Sequence, residues 1–173
     1  MHYGSLNVLA PEQPDSPIDE AQVLGSAVWL WMHSQSHRDA PLHSLSALLL
    51  PAIKLRQFIL ISEAGKPVFF LSWLNLSAEA ESRYLREPAV CLPEADWNSG
   101  DRLWINDWVA PFGHTRQVTG LLRRHLWATR IARSLYHRGD ERGLRVMNFH
   151  GIAILDLEAQ AWFATHPLLR HTP

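Results

Sequence analysis

Apolar residues recur along this chain with two different periods, and the change of period marks out its elements. Leu24, Ala27, Val28 and Trp31 fall at helical spacing on one face. Ser16-Pro17-Ile18-Asp19 precedes them as a start signal: Ser16 as cap, Pro17 at the first helical position and Asp19 closing a capping box. A helix is therefore predicted from there to about His33. A second is predicted from Pro41, with Leu42, Leu45, Leu48 and Leu49 inward, stopping before Pro51. Arg56 to Glu63 and Pro67 to Trp73 read as strands of a hairpin turning at Ala64-Gly65-Lys66. Ser77 caps a short helix with Glu79 and Glu81 in its first turn, where acids suit the helix dipole.

Trp97-Asn98-Ser99-Gly100-Asp101 is a turn cluster leading into a third strand, Arg102 to Ala110, which ends at Pro111-Phe112-Gly113. A long basic helix is predicted over Thr115 to Leu135, weakened at Gly120. Gly143 to His150 reads as a last strand, and a short final helix begins near Asp156. Helices, hairpin, helix, strand, helix and strand in this order imply an α/β (α+β) fold around a mostly antiparallel sheet. The expected organisation is a flexible arm over residues 1–15 and a single domain over 16–173.

Composition narrows the function. Apolar residues are 47% and charged residues 19%, an ordinary globular balance, and eight Trp favour sheet faces and interfaces. A net charge of -1 argues against nucleic acid as a partner. The charge is uneven, however: residues 1–36 hold acids without Lys or Arg. Arg116, Arg123, Arg124, Arg130, Arg133 and Arg138 follow one another with no acid between His114 and Arg138. Cys91 is the single cysteine, which suits a reducing compartment. Met1 to Pro17 lacks the pattern of a signal peptide, and Leu45 to Ile53 is too short to span a bilayer. The expectation is a cytoplasmic protein with no transmembrane segment.

Two residues stand out chemically. Asp107 interrupts the apolar run Trp104-Ile105-Asn106-Asp107-Trp108-Val109-Ala110, where a carboxylate needs a partner. Backbone N–H groups or an Arg can satisfy it as well as a catalytic partner can. His37 lies in Ser34-Gln35-Ser36-His37-Arg38-Asp39, a loop in which imidazole can exchange a proton near neutral pH. His33 and His37 share the i, i+4 spacing of a metal pair, but no Glu follows His33, and no metal is expected. No Gly-rich phosphate loop is present.

Several ordered blocks resemble the RTX toxin-activating lysine acyltransferases. They are Leu24-Gly25-Ser26-Ala27-Val28-Trp29-Leu30-Trp31, Ser34-x-x-His37-Arg38-Asp39, Leu50-Pro51-Ala52-Ile53 and Gln57-Phe58-Ile59-Leu60. Ser72-Trp73, Trp97-Asn98-Ser99-Gly100-Asp101-Arg102-x-Trp104, Asp107-Trp108-Val109-Ala110-Pro111-Phe112-Gly113 and Phe149-His150-Gly151 follow in the same order. The resemblance covers about residues 22–155. It implies a GNAT-like acyltransferase fold and transfer of a fatty acyl group from acyl-carrier protein, a phosphopantetheine thioester, to internal lysines of an RTX protoxin. No cofactor is implied as bound. It places the catalytic pair on His37 and Asp107 and a supporting, substrate-positioning role on Ser34, and it suggests a homodimer. An acidic acyl-carrier protein gives Arg116, Arg123 and Arg124 a role as contacts. The chain departs from the pattern at Leu48, where Asn is common, at Gln35 in place of Pro, and at Ala40 in place of Trp. Leu48 and Ala40 favour a second reading, a noncatalytic module binding acyl-carrier protein or protoxin, and a third is a GNAT-type transferase with a different amine acceptor.

Overall fold

A computed structural model of the chain describes residues 1–11, 18–138 and 141–168. Seven strands form one sheet in which they lie in chain order. They are β1 His2–Tyr3, β2 Leu6–Leu9, β3 Phe58–Glu63, β4 Lys66–Leu76, β5 Arg102–Val109, β6 Ile131–Arg138 and β7 Glu141–His150. The described pairings β1/β2, β2/β3, β3/β4 and β6/β7 are all antiparallel. The helices are α1 Glu20–Met32, α2 Leu45–Leu48, α3 Leu50–Lys54, α4 Ala78–Tyr84, α5 Thr115–Leu121 and α6 Asp156–Thr165. This mixed α/β architecture agrees with the GNAT-like expectation. The chain divides into two compact units, residues 1–73 with 105–114, and residues 74–104 with 115 onward.

In the first unit, α1 begins at Glu20, where Asp19 accepts a hydrogen bond from the Gln22 backbone N–H at 3.0 Å. The cap is thus Asp19 and the start is later than predicted; Ser16 and Pro17 lie outside the described residues. Val23, Ala27, Leu30 and Trp31 are buried against Leu49, Ile53, Phe58, Phe70 and Val109, with Leu24 and Val28 at the margin. Gly25 sits mid-helix, where glycine is about 1 kcal/mol less favourable than Ala.

The second predicted helix is broken into a 3-10 turn at Leu42–Ser44 followed by α2 and α3. Pro51 opens α3 rather than ending its predecessor. Its missing N–H falls in the first turn, where no helical acceptor exists. Leu42, expected inward, is 81% exposed, because the 3-10 turn rotates it off the apolar face. The β3–β4 hairpin forms as expected, on a turn with both Ala64 (φ 48) and Gly65 (φ 77) in the left-handed region, the geometry that matches strand twist.

The arm expected over residues 1–15 contains β1 and β2. Leu6 and Val8 alternate inward and are buried, pairing with Glu63 and Ile61 of β3. Four residues are too few for alternation to stand out from a polar neighbourhood.

In the second unit Ser77 caps α4 by accepting from the Ala80 N–H, as expected. The predicted helix over Thr115 to Leu135 is corrected. α5 passes into a π-helical turn at Leu122–Leu126, closed by Trp127 N–H donating to the Leu122 carbonyl at 2.7 Å. The chain then reverses into β6, which pairs along β7 from Ile131↔His150 onward. Tertiary pairing decides this against local helix propensity: Gly151 N–H donates to Arg130 O and Ala153 N–H to Ala128 O. Gly151 itself must lack a side chain, since an added Cβ would sit 2.0 Å from the Trp127 carbonyl.

A buried ion cluster holds the same unit. Glu81 (1% exposed) accepts from Arg102, from Arg133 at 2.7 Å and from the Trp104 indole at 2.8 Å. Arg102 and Arg133 also donate to the carbonyls of Pro167 and His166, just past α6, where helix carbonyls carry partial negative charge. Burial pushes the Arg133 guanidinium below its ordinary pKa, against the opposing pull of Glu81.

Candidate active site

Ser34, His37 and Asp107 all belong to the first unit. α1 ends at Met32, and the chain folds back through a tight turn in which His37 N–H and Arg38 N–H both donate to the Ser34 carbonyl. That turn presents the His37 side chain toward β5. β5 is buried over residues 102–105 and then alternates between buried and half-buried positions to Val109, with Asp107 among the buried ones. His37 Nε2 and Asp107 Oδ1 meet at 2.9 Å across 70 positions of sequence.

The other side of the imidazole faces hydroxyls. Ser34 Oγ is 2.8 Å and Ser36 Oγ 3.0 Å from His37 Nδ1. The Trp31 ring lies 5.0 Å from the His37 ring, and its Nε1–H donates to Asp107 Oδ2 at 3.0 Å. An ionised carboxylate only accepts, so Nε2 carries the proton that points at Asp107. In the neutral ring Nδ1 then holds the lone pair, directed at Ser34 and Ser36. The basic atom of the pair is Nδ1, and Asp107 fixes the tautomer from the far side.

Trp31 and Ser36 are parts of this site that sequence reasoning missed. Trp31 reads as a core position of α1, and its indole N–H partner is 76 residues away. Asn106, beside Asp107, donates to Ser72 Oγ at 3.3 Å and takes no part in the contacts of the pair. Leu48, in place of the common Asn, packs at the margin of the apolar cluster around α1.

Arg116, Arg123 and Arg124 are exposed in the second unit, the first on α5 and the others on the π-helical turn. Arg133 leaves the expected basic face, being buried on Glu81. His33 does not share a ligand geometry with His37: its Nδ1 meets the Trp29 carbonyl at 2.8 Å. No group of three or more metal-ligating side chains occurs among the described residues. No helix among them is long and apolar enough to cross a membrane.

A family model described as the RTX toxin acyltransferase family matches residues 16–150. The chain belongs to that family. It is 38% identical over 134 residues to the RTX-I toxin-activating lysine-acyltransferase of Actinobacillus pleuropneumoniae, covering 78% of this chain and 77% of the relative. It is 39% identical over 149 residues to a protein-lysine palmitoyltransferase of Bordetella bronchiseptica, covering 84% and 79%. A protein-lysine myristoyltransferase of Kingella kingae is 37% identical over 134 residues, covering 78% and 79%. As a member of the RTX toxin acyltransferase family the chain is an acyltransferase, and the matched segment contains every residue of the site just described.

Proposed function

We propose that this protein transfers a fatty acyl group from acyl-carrier protein to the side-chain amine of internal lysines in an RTX protoxin. The observation that carries the reading is the His37–Asp107 contact at 2.9 Å, within a segment matched by an acyltransferase family. A lysine amine is protonated at neutral pH and cannot attack until it gives up that proton. The ammonium first releases that proton to water, and His37 Nδ1 then receives a second one as the neutral amine nitrogen bonds to the thioester carbonyl carbon. The imidazolium formed is stabilised by Asp107 at Nε2. Collapse of the tetrahedral adduct breaks the carbon–sulfur bond, and His37 returns the proton to the departing thiolate. The products are an amide and the free thiol of the carrier. The direct test mixes protein, fatty acyl-carrier protein and protoxin and reads lysine mass shifts, which His37→Ala and Asp107→Ala should abolish.

One observation favours a second route. Ser34 Oγ lies 2.8 Å from His37 Nδ1, the geometry of an activated nucleophile, so the acyl group can pass through an ester on Ser34. Intact-mass analysis of enzyme mixed with donor alone separates the routes. A stoichiometric acyl adduct lost in Ser34→Ala supports the ester; its absence, with transfer retained in Ser34→Ala, leaves direct attack.

Arg116, Arg123 and Arg124 supply the carrier contact, since their exposed positive charge complements an acidic protein. Replacing all three by Glu reverses six units of charge. It should weaken carrier binding by roughly tenfold or more at low salt, with a smaller difference at high salt. Unchanged binding at low salt, measured by calorimetry, would remove these residues from the interface. A cytoplasmic homodimer is the working arrangement, supported by the lone cysteine and the abundance of Trp.

A further inference from the structure

Four residues of α1 are buried: Val23, Ala27, Leu30 and Trp31. The first three side chains are wholly apolar, and only Trp31, 4% exposed, carries a polar atom into the core. A buried indole N–H needs an acceptor, and this one finds it on β5. Trp31 Nε1–H donates to Asp107 Oδ2 at 3.0 Å, while Asp107 Oδ1 lies 2.9 Å from His37 Nε2. We infer that Trp31 is a positioning residue for acyl transfer, its N–H fixing the rotation in which the Asp107 carboxylate meets His37. This rests on His37 and Asp107 being the reacting pair.

The need for such a bond follows from the carboxylate itself. The terminal torsion of an Asp side chain is broad, so a single contact leaves the two oxygens free to turn. Among the described residues, the Asp107 carboxylate bonds to His37 and Trp31 alone, one oxygen to each. Engaging Oδ2 therefore settles where Oδ1 points. An indole N–H can only donate, so this contact does not depend on which imidazole nitrogen carries a proton.

Trp31 touches the other member of the pair as well. Its ring lies 5.0 Å from the His37 imidazole, inclined at 36°, so the three side chains meet pairwise. α1 delivers the indole, the turn after it the imidazole, and β5 the carboxylate. Trp104 makes a useful contrast. Its indole also donates to a buried carboxylate, Glu81, but two guanidinium groups hold that one in place as well. Asp107 has the indole alone to hold it against the imidazole.

Two measurements test this. In the first, Trp31 of the full chain is replaced by 3-benzothienylalanine, which keeps the shape of the ring and puts sulfur in place of the N–H. With fatty acyl-carrier protein and protoxin as substrates, kcat should fall roughly 10–100-fold, with KM for each within about threefold. An unchanged kcat, or a change confined to KM, overturns the inference. The second does not depend on activity. In proton–nitrogen NMR, the indole resonance missing from the substituted protein is that of Trp31. It should move upfield in Asp107→Ala, as the N–H loses its acceptor; an unmoved resonance overturns the bond and the inference with it. If the unaltered protein transfers no acyl group while that resonance still answers to Asp107, the bond stands. The reading of His37 and Asp107 as the reacting pair then falls, and the role given to Trp31 falls with it.

Discussion

Asp107→Asn is expected to lower kcat/KM for lysine acylation by roughly 10³–10⁴, with the fold intact. The reason lies in the two partners of the carboxylate. Trp31 Nε1–H donates to Oδ2, and that donor still needs an oxygen in the variant. The Asn carbonyl therefore turns to Trp31, and its NH2 faces His37 Nε2, 2.9 Å from the present Oδ1. A donor opposite Nε2 forces that nitrogen to accept, which moves the ring proton to Nδ1. The lone pair directed at Ser34 and Ser36 is then gone. His37→Ala removes the base outright, with an expected loss of about 10²–10⁴. Nitrogen-15 NMR of the imidazole should report Nε2–H in the unaltered protein and Nδ1–H in Asp107→Asn. Activity within tenfold of the unaltered protein would show that the tautomer is not what Asp107 supplies.

Glu81→Ala should destabilise the protein by about 3–5 kcal/mol, measured by urea unfolding. It leaves two guanidinium groups, Arg133 at 3% and Arg102 at 9% exposure, without their shared carboxylate. The Trp104 indole N–H loses its acceptor in the same step. Burial already depresses the Arg133 pKa, so removing its counter-charge adds to a penalty that exists in the folded state. A single domain is stable by only about 5–15 kcal/mol, so this change takes a large share. The exposed Arg38–Asp39 pair, at 60% and 88% side-chain exposure, is the control, and its loss should fall below about 1 kcal/mol. A loss of that small size for Glu81→Ala would mean that the carbonyls of His166 and Pro167 suffice to hold both cations.

The contrast between these two sites shows what could be read from the chain. Asp107 was conspicuous because a carboxylate inside an apolar strand demands a partner, and the demand is local. Glu81 gave no such sign. It sits in the first turn of α4, where an acid is ordinary, and only the packing of β5, β6 and the end of α6 buries it. Arg133 misled in the same way: a run of arginines reads as a solvated helix face, and strand pairing put this one in the core.

The sequence by itself determined α1, the β3–β4 hairpin, the Ser77 cap, β5 and the family, because each rests on residues close together in the chain. It also placed the candidate site on Ser34, His37 and Asp107 by resemblance. Only the tertiary structure decided that β2 joins β3, that the helix after Thr115 gives way to β6, and that Trp31 completes the surroundings of Asp107. It also decided which group faces each imidazole nitrogen, since Nε2 meets a carboxylate 70 residues away. Periodicity reports which face of an element is apolar; it carries no information about which distant group will meet that face.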